Sequence, residues 1–132
     1  MHSCHKQIRA QLDIHYVNQS HSHPFADILK HGVYRERHSE TVTDSLRALL
    51  LEFAGYKVQV FEFIGGEHTS KNVMITAVKK KDNASTAPIL ERIKALAEIH
   101  GIQEQKLAKW MDINLLGIAH KRPARFPNQM PP

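Results

Sequence analysis

The stretch FIGGEHTSKN, from Phe63 to Asn72, joins two adjacent glycines to a carboxylate, an imidazole, two hydroxyls, an ammonium and an amide. A phosphate loop of the G-x-x-x-x-G-K-[ST] type needs four residues between its glycines and a helix after it. Here Gly65 and Gly66 adjoin, and Lys71 leads into the strand-like run NVMITAVK, so that chemistry is excluded. Glu67 and His68 are neighbours in sequence, and neighbours in a strand or turn point apart, so a general base with its orienting partner is not implied. From the residues alone, a polar hairpin loop fits best.

Three other groups of residues bear on chemistry. Cys4 and His5 adjoin, but a thiol nucleophile needs a held base or positive environment, which a chain end does not supply by itself. His2, His5, His15, His21, His23, His31 and His38 crowd residues 1–38 at irregular spacing, with no cysteine pair or H-E-x-x-H pattern beside them. No metal is assigned to them, and they are expected to be solvated. In LAEIHGIQEQKLAKW, Ala97, Gly101, Ile102, Leu107 and Trp110 stand at the small, turn and core positions of a helix-turn-helix. A second helix over residues 103–111 would carry Gln103, Gln105, Lys106 and Lys109 toward bases or phosphates. His100 occupies a position that is usually apolar.

The elements that must position these residues follow from periodicity. Ile8, Leu12 and Tyr16 recur at four-residue steps and predict a first amphipathic helix. HPFADILKHG predicts a short second one, opened near Pro24 and closed by Gly32. In TVTDSLRALLLEFAGY, Thr41 or Thr43 is the expected cap, Asp44 complements the helix dipole, and Leu46, Leu49, Leu50 and Phe53 form the apolar stripe. Gly55 is the expected left-handed stop. KVQVFEFI and NVMITAVK predict two strands, antiparallel because the connection is short, the second apolar enough to be covered on both faces. After the linker KKKDNAS, TAPILERIKALAEIHG predicts a helix with Pro88 in its first turn and Gly101 at its end. HKRPARFPNQMPP reads as a basic, proline-rich disordered tail.

The chain has 132 residues, a net charge of +5 and a single cysteine. That length sets a prior of one domain, and the lone cysteine excludes an internal disulfide framework. No apolar run reaches the roughly 18 residues that a bilayer span needs, so no membrane partner is expected. The amino-terminal residues MHSCHKQIR do not read as a secretory leader, and a cytoplasmic location is expected. The basic excess favours polyanions, nucleic acid first.

One longer pattern joins these pieces. HGVYRERHSETVTDSLRALLLEFAGYKVQVFEFIGGEHTSKNVMITAVKK resembles the C-terminal part of a family of class I S-adenosylmethionine-dependent methyltransferases, related in this domain to RNA methyltransferases. The family series "ER", "TDxxR", "LLExxGY" and "EFxxxEHTPKNxxIxAxK" is matched here by Glu36 and Arg37, by Thr43, Asp44 and Arg47, by Leu50 to Tyr56, and from Glu62 onward. Ser70 replaces the proline. Its upstream "PCCHK" element is matched only at Cys4, His5 and Lys6. The resemblance implies an α/β fold: the C-terminal part of a Rossmann-like methyltransferase sheet, as a helix plus an antiparallel hairpin, followed by two helices. It implies residues 1–81 as the methyltransferase-like portion, 82–119 as a helical extension and 120–132 as the tail.

On the same resemblance Cys4 and His5 lie nearest methyl transfer, and Arg37, Arg47, His68, Lys71 and Asn72 are candidate substrate-binding residues, with Asp44 and Glu67 matching the pattern beside them. The cofactor would be S-adenosylmethionine and the substrate RNA. No G-x-G turn precedes a strand anywhere in the chain, so the glycine-rich cofactor-binding half is missing. The expectation is a C-terminal fragment that does not bind the cofactor alone and needs a separate N-terminal half or a second copy. The alternative is a non-catalytic nucleic-acid-binding module using the helix-turn-helix-like unit at residues 86–113.

Overall fold

The computed structural model describes residues 4–19, 22–64, 66, 72–82 and 85–115. The order is α1 (Cys4–Gln19), α2 (Ala26–Leu29), α3 (Gly32–Phe53), β1 (Tyr56–Phe63), β2 (Asn72–Lys79), α4 (Ala87–Ile99) and α5 (Lys106–Trp110). The architecture is mixed: helices around α3, with a two-stranded antiparallel sheet at its C-terminal end. No helix of the described residues is long and apolar enough to cross a membrane. The expected tail at residues 120–132 lies outside the described residues.

The longest helix starts nine residues before the expected Thr41 cap. Gly32, expected to close α2, instead opens α3: His31 is extended, and its carbonyl accepts from the Tyr34 and Arg35 N–H groups, both at 3.0 Å. Thr41 and Thr43 are helix-interior residues whose hydroxyls donate back to the carbonyls of Arg37 and Ser39, at 3.1 and 2.6 Å. A threonine that bonds the preceding turn is satisfied inside a helix, which is how cap-like residues come to sit in mid-helix. Asp44 therefore lies far from the dipole's positive end. The other terminus is as expected: Gly55 has φ +95°, a conformation nearly closed to residues with a Cβ.

Leu46 and Leu50 on α3, Ile8 on α1, and Ile93 and Ala97 on α4 are fully buried and belong to one core cluster with Ile102, Ala108 and Met111. Residues on both sides of the KKKDNAS linker thus share one apolar interior. Salt bridges clasp α1 to α3: Arg9 pairs with Glu36 and with Asp13 (3.0 Å), and Arg35 approaches Asp13 at 3.3 Å.

The hairpin pairs Tyr56 with Lys79 through to Phe63 with Asn72. Its second strand is not covered on both faces as expected. Met74 and Val78, on the face away from α3, are 41 and 68 % exposed, and Val73, on the side of the helix, is 48 % exposed because it borders an open groove.

The expected helix over residues 103–111 contracts to Lys106–Trp110. The side-chain carbonyl of Gln11 accepts from the N–H groups of Gln103 and Glu104 at 2.7 and 2.8 Å, and its amide donates to the Glu104 carbonyl at 2.7 Å. That clamp from α1 holds residues 103–104 outside helical geometry. Gln105 then caps α5, accepting from the Ala108 N–H at 2.7 Å. The second helix of the helix-turn-helix-like unit is thus shorter than expected: five residues rise only about 7.5 Å, and Gln105, expected to meet bases or phosphates, is buried.

Candidate functional site

One face of α3 presents Arg37, Glu40, Thr41, Asp44, Ser45 and Ala48, positions that share a side at 3.6 residues per turn. Opposite them stand Val60 and Glu62 of β1 and Val73 of β2, with Asn72 bordering the groove at the start of β2; the hairpin comes back over the helix because Gly55 turns the chain there. His5, in the first turn of α1, closes one end. These residues line an open groove of about 1000 Å³.

Of the residues singled out from sequence, His5, Arg37, Asp44, Arg47 and Asn72 all line this groove, although 67 positions separate the first from the last. The side chain of Cys4, and Glu67, His68 and Lys71, lie outside the described residues. Sequence reasoning missed Glu40, Thr41, Ser45 and Glu62. A polar stripe through Arg37, Glu40, Thr41, Asp44 and Ser45, at steps of three, one, three and one, marks the α3 wall and could have found three of them.

The groove has mixed charge. Arg47 is tied to Asp44 at 3.3 Å across one helical turn, both partly exposed, so it is oriented along the wall rather than neutralised deep in it. Arg37 is exposed at the same wall. The guanidiniums of Arg37 and Arg47 and the hydroxyl of Ser45 on this wall are groups suited to phosphate and sugar oxygens. Glu40 and Glu62 bound it. At the His5 end, ligand-type atoms of His5, Glu36 and Glu40 come within 4.8 Å of one another. Glu36 is already paired with Arg9, and His5 Nε2 stands 3.8 Å from its other oxygen. This is an ion-paired corner, and no metal is assigned to it.

A second cluster contradicts the expectation that the histidines are solvated. His23 and His100 are buried, and with His38 they surround Phe25, whose ring stacks on His100 at 5.6 Å, while His15 packs edge-on against His23 at 5.0 Å. Hydrogen bonds assign their protons. His23 Nδ1 accepts from the Phe25 N–H at 3.0 Å, so its Nε2–H donates to the Ile99 carbonyl at 2.6 Å. His100 Nδ1–H donates to the Leu96 carbonyl at 2.8 Å, which leaves its Nε2 to accept from His38 Nε2–H at 2.8 Å. Burial lowers the pKa of His15, His38 and His100 below the usual imidazole value. Repulsion from His23 adds to the lowering at all three, while carbonyl contacts oppose it at His15 and His100. The cluster is a packed joint between α1, the turn before α2, α3 and the end of α4.

Compared with models of known protein families, with curated proteins and with solved structures, the chain matches none.

Proposed function

We propose that this chain is the C-terminal part of an S-adenosylmethionine-dependent methyltransferase acting on RNA, inactive until it is joined to a glycine-rich cofactor-binding half. The observation that carries the reading is a convergence. Residues named from a linear motif series, His5, Arg37, Asp44, Arg47 and Asn72, come to one groove between α3 and the hairpin. Arg37 and Arg47 on the groove's α3 wall would contact backbone oxygens of a phosphate-bearing substrate, between the carboxylates of Glu40, Asp44 and Glu62. His5 and Cys4, at the start of α1, would stand where cofactor methyl and substrate meet.

The open sheet supports incompleteness. A two-stranded hairpin is marginal by itself, and its unpaired edges are ready to accept another strand. In a Rossmann-like sheet such strands come from the half that also carries the glycine-rich turn, with the cofactor at their carboxyl ends. S-adenosylmethionine, when bound there, supplies the methyl group; this chain contributes the walls that orient the acceptor.

Calorimetric titration of S-adenosylmethionine into the purified chain tests the incompleteness. No saturable binding is expected below millimolar concentration. One-to-one binding at low micromolar concentration would overturn the fragment reading.

A further inference from the structure

The two faces of the hairpin differ in chemistry. Tyr56 packs against the core, and Val60 and Glu62 line the groove, so alternate residues of β1 face α3. Phe61 and Phe63 therefore share the outer face, and Met74 lies directly opposite Phe61 in the register. All three are open, at 45, 40 and 41 % exposure. Lys57 belongs to the same face. Lys80 joins it, because its N–H donates to the Gly55 carbonyl at 2.9 Å and extends the ladder by one position. Gln59 and Thr76, cross-strand partners, supply uncharged polar groups between the lysines and the aromatics. No carboxylate falls on this face from Lys57 to Phe63 or from Asn72 to Lys80: the one acid in those segments, Glu62, belongs to the groove side.

An apolar face awaiting another protein domain has no need of lysines at one end and a complete lack of acids. A single-stranded polyanion with flat bases needs both. Phe61 and Phe63 are two residues apart on one strand, about 7 Å, and exposed sheet-face aromatics at such positions each receive one unstacked base. Lysines beside them hold phosphates without reading sequence. We propose that the outer face of the β1–β2 hairpin binds single-stranded nucleic acid, Phe61 and Phe63 each stacking one base while Lys57 and Lys80 contact phosphates of flanking nucleotides. This site lies on the opposite side of the sheet from the groove and stands whether or not the methyltransferase reading holds.

The test is fluorescence anisotropy of the full chain with a labelled ten-nucleotide uridine-rich RNA, the same sequence as DNA, and its duplex. Both single strands bind and the duplex binds at least tenfold more weakly, the RNA and DNA arms showing whether the sugar is read. Phe61→Ala and Phe63→Ala each weaken binding by about tenfold or more, and Phe61→Tyr restores it. Lys57→Glu weakens binding and lowers its salt dependence. As a variant that keeps an aromatic ring, Phe63→Trp in a Trp110→Phe background shows indole quenching on addition of RNA. Unchanged affinity in the alanine variants, equal binding of duplex, or no quenching overturns the proposal. RNA binding abolished by Arg37→Glu and Arg47→Glu but not by Phe61→Ala places the ligand in the groove and also overturns it. A concentration-dependent dimer, lost in Phe61→Ala and unaccompanied by RNA binding, assigns the face to a second copy instead.

Discussion

At the scale of single residues, the histidine joint makes the fold sensitive to acid. His15, His38 and His100 have lowered folded-state pKa values, so below the ordinary imidazole value of about 6.5 the unfolded chain takes up more protons than the folded one. Their contribution is therefore complete above pH 6.5 and is lost as pH falls beneath it. The His38–His100 contact has room for one proton between the two Nε2 atoms, so adding a second replaces the bond with repulsion. Urea unfolding at pH 7.5 and 5.0 should show the midpoint dropping at the lower pH, and His100→Gln should flatten that drop. The face opposing this joint is equally tight. Gly101 has φ +65°, and a Cβ there would lie 2.3 Å from the His15 ring. Gly101→Ala should destabilise by at least about 1–2 kcal/mol, the cost of the left-handed region alone, read as a lower urea midpoint.

At the scale of elements, α3 is the spine, since α1, α2, α4 and the hairpin all pack on it. Leu46, fully buried in its middle, should cost about 2–5 kcal/mol as Leu46→Ala, measured by the same unfolding curves. Much of this element was legible in sequence, because a leucine stripe and a terminal glycine report burial and a stop directly. Its beginning was not. Thr41 and Thr43 have the chemistry of caps, and only the tertiary setting, with His31 extended and Gly32 helical, shows that they bond backward inside a longer helix. The exposed face of β2 was misread for a related reason: a continuous apolar run reports what a strand can bury, not whether anything lies against it. The shortening of α5 depends on Gln11, more than 90 positions away, and no local pattern carries such a contact. Of the candidate site, Arg37, Asp44, Arg47 and Asn72 could be named in advance through motif order, while the groove that unites them is a product of the Gly55 turn. The histidine joint had one readable sign: His100 follows Ile93 and Ala97 on the apolar stripe of α4.

At the scale of the whole molecule, one core binds residues from α1 to Leu115, and among the described residues the sheet has two strands. On the fragment reading proposed above, the open edges of that sheet would accept the strands of the other half. On the two proposals the open groove and the outer sheet face would have separate work, the first shaping the acceptor for methyl transfer and the second holding single-stranded nucleic acid. Arg47→Glu should impair only the first, and Phe61→Ala only the second. The direct measurement is transfer of labelled methyl from S-adenosylmethionine to RNA, comparing the purified chain with the assembly recovered through that chain from its own cells. The account predicts label in RNA from the assembly, none from the chain alone, and loss of the assembly's activity with Arg47→Glu. Label produced by the chain alone, or none produced by the assembly, would contradict it.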